Sequence, residues 1–145
     1  MNVQNVRHTG IVVRDMERSL AFYRDLLGLK PVIDFVQKGR YIDTLLGMKG
    51  ADLHMVKLVA EGGGMVELLH FRSHRRSRPA RADFCRIGPT HVALTVDRLD
   101  DAYETLRARR VPFVAAPIAS PDGKARVAFC RDPDGTFIEL VEVLA

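Results

Sequence analysis

The 145-residue sequence predicts an α+β fold made of two βαβββ modules related by internal duplication. The first observation behind this is a repeat. HTGIVVRDMERSLAFYRDLL (8–27) lies over HVALTVDRLDDAYETLRARR (91–110) at a constant offset of 83, placing His8 on His91, Val13 on Val96 and Tyr23 on Leu106. The second is that the halves also end alike, with GMVELLHF (64–71) resembling GTFIELVEV (135–143) and Glu67 falling on Glu139. The third is that hydrophobic periodicity changes in the same order in both halves. One domain spanning 1–145 is expected, with module 1 at 5–71, an arginine-rich linker at 72–88 and module 2 at 89–145.

Residues 6–13 and 90–96 alternate and are rich in β-branched side chains, which predicts a strand opening each module. Met16, Leu20, Tyr23 and Leu27 then recur at helical spacing behind a capping Asp15, and Gly28 stops the run. Leu99, Ala102, Tyr103 and Leu106 repeat the pattern behind Asp97, and Pro31 and Pro112 forbid further helix. Three strands should follow in each module, at 31–36, 53–59 and 65–71, then at 112–116, 125–130 and 136–143. GRYIDTLLGM (39–48) reads as an extra short helix without a counterpart in module 2.

Composition narrows the function classes. Apolar residues at 47% and charged residues at 28% describe an ordinary globular protein, and no apolar run approaches the ~20 residues of a membrane span. The opening MNVQNVRHTG lacks the apolar stretch of a signal peptide, so a cytoplasmic protein is expected. Cys85 and Cys130 form no CxxC motif and read as free thiols. Residues 72–86 hold six of the arginines and one aspartate, which makes the net charge of +4 a property of one segment. A nucleic-acid surface would spread its basic residues over a face interleaved with aromatics, so no nucleic-acid partner is expected.

Alternation along the strands separates two faces. Thr9, Ile11 and Val13 share one face, and Val92, Leu94 and Val96 share its repeat; these sets should pack under the helices. The opposite faces carry His8, Gly10 and Val12, then His91, Ala93 and Thr95, which are small apart from the histidines. On the closing strands Glu67 and Glu139 are placed to share that second face. Singly, His8 reads as a strand-end histidine and Glu67 as an outward-facing residue of a half-exposed strand. Jointly placed in a repeat, His8, Glu67, His91 and Glu139 form a candidate ligand set if a pseudo-twofold axis relates the modules. Imidazole nitrogen with carboxylate oxygen suits one divalent ion: Zn, Ni, Co, Mn or Fe(II). His54, His70 and His74 have no repeat counterpart and are read as non-ligands.

With these residues in view, HTGIVVRDMERSLAFYRDLLG, MVELLHF, THVALTV and DPDGTFIELVEV resemble the vicinal oxygen chelate superfamily, the glyoxalase/bleomycin-resistance/dioxygenase family. The resemblance implies paired βαβββ modules forming a U-shaped mixed sheet around a metal-centred cavity, with ligands at His8, Glu67, His91 and Glu139. It further implies isomerase, epimerase or lyase chemistry next to a carbonyl through a metal-stabilised enolate, with Glu67 or Glu139 as the catalytic proton carrier. The implied partners are a small-molecule substrate, anionic or a CoA thioester, and a second copy of the chain in a homodimer. Glyoxalase I and some methylmalonyl-CoA epimerases share the His, Glu, His, Glu set. Bacterial glyoxalase I places an Arg and an Asn for glutathione where Val12 and Phe71 stand here. Val12, Thr95, Phe71 and, on the extra helix, Tyr41 are the candidate pocket residues. Alternatives within the resemblance are an Fe(II) extradiol-type dioxygenase, a thiol transferase acting on an epoxide antibiotic, and a small-molecule binding or resistance protein without turnover.

Overall fold

The computed structural model describes residues 1–74, 84–85 and 87–144. It divides into two units, Met1–Arg78 and Pro79–Ala145. Most of the predicted arginine-rich linker, 75–83 and 86, lies outside the described residues.

In the first unit, β1 (Thr9–Val12) leads into α1 (Met16–Leu20), whose start is capped by the Asp15 carboxylate accepting from the Arg18 N–H at 3.0 Å. The helix continues as a wider turn over Ala21–Leu26, with the Leu27 N–H donating five residues back to the Phe22 carbonyl at 3.0 Å. Gly28 then takes φ +76°, a left-handed conformation that ends the helix at little steric cost to a glycine. β2 (Lys30–Lys38), α2 (Arg40–Leu46), β3 (Asp52–Ala60) and β4 (Gly63–Phe71) follow. The sheet order is β1-β4-β3-β2, with β1 parallel to β4 and the other pairs antiparallel. Ile11, Val13, Val56, Leu58, Val66 and Leu68 are buried on one face of this sheet, and α1, which buries Met16 and Leu20, packs against β4.

The second unit repeats that order. β5 (His91–Thr95), α3 (Leu99–Ala108), β6 (Ile118–Ala119), β7 (Ala125–Arg131) and β8 (Phe137–Val143) form a sheet ordered β5-β8-β7-β6, with β5 parallel to β8. Leu99 and Leu106 of α3 are buried, as are Ile138 and Leu140 of β8, and α3 packs on β7 and β8. The predicted duplication of βαβββ modules is therefore the observed fold.

Two local expectations are corrected. The strand expected at 112–116 is reduced to one bridge, Phe113 to Cys130, and the ladder resumes only at Ile118–Ala119. Pro112 and Pro117 bracket the gap, and neither can donate to a ladder. Asp97 does not cap α3. The Leu99 N–H donates instead to Glu142 Oε2 at 3.2 Å, so β8 closes the helix end that it packs against. The predicted extra helix is present as α2. Its Ile42 is buried with Ala51 and Leu53, and Met48, Met55, Leu69 and Phe71 pack around them. Met55, Leu69 and Phe71 lie on the same side of the sheet as Glu67, two to four residues further along, so α2 roofs one end of that face.

Candidate functional site

Register decides what meets Glu67. On β4 it stands opposite Gly10 of β1 on one side and Lys57 of β3 on the other. Opposed residues on paired strands share a face, so all three belong to the side away from α1. His8, two residues before Gly10, reaches the same place, with Nε2 3.1 Å from Glu67 Oε2. Lys57 Nζ lies 3.2 Å from Glu67 Oε1. Glu67 is only 8% exposed, and both of its carboxylate oxygens have a nitrogen partner at that depth. A Cβ added at Gly10 would meet Leu69 Cδ1 at 3.5 Å and Glu67 Oε2 at 4.0 Å, ordinary van der Waals contact, so the glycine sits directly beside the carboxylate. His8 Nδ1 is buried without a hydrogen-bond partner.

The second unit reproduces the pair and changes its surroundings. Glu139 of β8 stands opposite Ala93 of β5, and His91 Nε2 lies 3.1 Å from Glu139 Oε2. The other ring nitrogen of His91, Nδ1, is hydrogen-bonded to Thr90 Oγ1 at 2.8 Å, a contact that fixes the ring orientation. Where the first unit has Lys57, the register of the second places Phe129 opposite Glu139. Phe129 meets the His91 ring edge-on at 5.4 Å and the Phe84 ring at 4.9 Å. Phe84 also stacks on Phe137 at 4.0 Å, and the Arg131 guanidinium lies 3.9 Å from the Phe137 ring centre. One histidine–carboxylate pair is thus lined by an ammonium, and its repeat is lined by aromatic rings.

The remaining predicted residues divide. Val12 is half exposed on the face of Gly10, and Thr95 is exposed on the face of His91. Phe71 is committed to the apolar cluster under α2, and Tyr41 is two-thirds exposed on that helix. His54 lies 2.7 Å from Asp34 Oδ1, and His74 Nδ1 is 2.7 Å from Ser73 Oγ. Lys57 is the residue that sequence reasoning missed. Its signal was a lysine among DLHMVKLVA whose alternation puts it on the face of Leu53 and Met55 instead of an exposed edge.

The donor chemistry fits a divalent ion. Each pair offers one imidazole nitrogen and one carboxylate oxygen, the set borderline metals accept, and His8 carries an unpartnered nitrogen in addition. Among the described residues no group of three or more His, Cys, Asp or Glu is gathered that could hold a metal, so each pair by itself supplies two donors. Among the same residues, no helix is long and apolar enough to cross a membrane.

Duplicated βαβββ modules with a histidine–carboxylate pair at the same register in both define a glyoxalase-type fold. The chain belongs to the Glyoxalase/Bleomycin resistance protein/Dioxygenase superfamily, whose pattern matches residues 5–140. It is 30% identical to the uncharacterized protein YaeR of Escherichia coli over 98% of both chains. It is 28% identical to a lactoylglutathione lyase of Schizosaccharomyces pombe across 97% of this chain. It spans about half (48%) of that relative's length. A glyoxalase family protein from Bacillus cereus superposes with a TM-score of 0.90, covering 100% of this chain and 97% of its own, at 19% identity, a likeness of fold.

Proposed function

We propose that this protein is a metal-dependent isomerase, epimerase or lyase acting on the carbon next to a carbonyl, with His8, Glu67, His91 and Glu139 as the metal-binding residues. The observation that carries this reading is the repeated contact: a histidine Nε2 and a glutamate Oε2 lie 3.1 Å apart in both units, although the pairs are far separated in sequence. The lactoylglutathione lyase relative supports the same class of chemistry. When bound, a divalent ion in this family's sites supplies Lewis-acid stabilisation of negative charge on substrate oxygen.

The chain's own groups do the rest. Glu67 and Glu139 are the carboxylates able to remove and return a proton at the carbon beside the carbonyl, work that contributes ~10²–10⁴-fold. Thr90 holds the His91 ring so that Nε2 is presented to the site. Gly10 and Ala93 keep the floor beside the two glutamates small. Glu67 is largely buried, and the Lys57 ammonium lies 3.2 Å from its Oε1.

Elemental analysis of protein purified without added metal tests the ligand assignment. The wild type should carry about one divalent ion per chain, and the Glu67→Ala, Glu139→Ala double variant should carry almost none. Equal, near-zero metal in both would end the proposal. The reaction is tested by NMR-monitored solvent deuterium exchange over a panel of 2-hydroxy ketones, hemithioacetals and acyl-CoA thioesters. Exchange abolished by a chelator is the expected result, and no exchange anywhere in the panel refutes the α-proton chemistry.

A further inference from the structure

The two histidine–carboxylate pairs are not equivalent: Lys57 stands opposite the glutamate of the first and Phe129 opposite that of the second. We propose that Lys57 is a substrate-binding residue that takes an anionic oxygen, so that the substrate carries a carboxylate or comparable acidic group beside its reacting carbon. The inference rests on the metal-dependent reading above and names the substrate class of that site. The surroundings of Lys57 in the first unit carry it.

The Lys57 ammonium is largely withdrawn from solvent, with its side chain 18% exposed. It has three donors, yet among the described residues its only partner is Glu67 Oε1 at 3.2 Å. An ammonium that shares one carboxylate with a histidine and keeps spare donors can still accept an anion. On the β1 side of Glu67 the same face carries no side chain at Gly10 and a half-exposed Val12. In the second unit the corresponding position is Phe129, and the cation on that face, Arg131, lies against the Phe137 ring and donates to the Gly135 carbonyl at 3.1 Å.

The test uses the full chain reconstituted with Mn(II), with lactate as the anionic probe and lactamide as its neutral isostere. Metal content and binding of both probes are measured for the wild type, Lys57→Met and Lys57→Arg. Lys57→Met should keep its metal, bind lactate about 10–100-fold more weakly and bind lactamide within about twofold of wild type. Lys57→Arg should restore most of the lactate binding. Loss of metal, or an equal fall for both probes, would show that Lys57 only positions Glu67 and would overturn the assignment. Unchanged lactate binding in Lys57→Met would overturn it as well. If the wild type takes up no metal, the metal-dependent reading fails separately, and lactate binding to the metal-free protein then decides. Binding that depends on Lys57 keeps the anion site, and no binding removes it.

Discussion

Gly10 gives the sharpest check on the open face beside Glu67. Its backbone lies outside the left-handed region, so an L side chain is allowed there, and an added Cβ would sit in ordinary van der Waals contact 3.5 Å from Leu69 Cδ1. Glycine inside a strand costs roughly 0.5–1 kcal/mol relative to alanine, chiefly through the entropy of the unfolded chain. Gly10→Ala should therefore be neutral or stabilising by up to about 1 kcal/mol, a rise of roughly 1–4 °C in the unfolding midpoint for a chain of this size. Gly10→Leu extends a branched side chain towards Glu67 Oε2, which lies 4.0 Å from the Cβ position. It should keep the wild-type midpoint to within a few degrees yet lose most metal and lactate binding. Calorimetry and elemental analysis of the three proteins provide the measurement. A Gly10→Ala protein destabilised by more than about 1 kcal/mol would mean that the face is packed. A Gly10→Leu protein with full metal content and probe binding would separate that position from the site.

Other outcomes follow from the packing and the charges. Leu68 is fully buried between β1 and β3, so Leu68→Ala should lose about 2–5 kcal/mol in urea unfolding. The Asp43 carboxylate accepts from the Gly50 and Ala51 N–H groups at 2.8 and 2.7 Å, and these bonds hold its pKa below the ordinary carboxylate value. A lowered folded pKa contributes stability that is complete above the unfolded value and is lost as pH falls through the folded one. The stability difference between wild type and Asp43→Asn should therefore be constant at neutral pH and close below about pH 4. Burial, with the nearby Asp132 charge, pushes the Cys130 thiol up to about 12, whereas Cys85 is exposed. A thiol reagent at pH 8 should label one cysteine promptly and the second only in denaturant; prompt labelling of both would contradict the burial.

Much of the fold was legible because its signals are local or repeated. The change from period two to helical spacing, the Asp15 cap and the Gly28 stop each act over a few residues. The offset between His8 and His91 pointed to the duplication without any knowledge of contacts. Alternation alone put Glu67 on the side of Gly10, and the β1–β4 register made that placement explicit. Other features depend on which strands become neighbours. The Glu142 cap of α3 joins residues 43 positions apart, and nothing near Leu99 advertises it. Phe71 read as a pocket residue because its strand face was known and the roof over it was not; α2 claims it for an apolar cluster.

The residue types at the two sites, and the faces that carry them, were determined by the sequence itself, because strand periodicity is a property of each segment taken alone. The inequality of the two sites was decided only by tertiary structure. Pairing of β3 with β4 sets Lys57 against Glu67, and pairing of β7 with β8 sets Phe129 against Glu139. Partners across a sheet are chosen by the register of separate segments, and no spacing along the chain encodes that register directly.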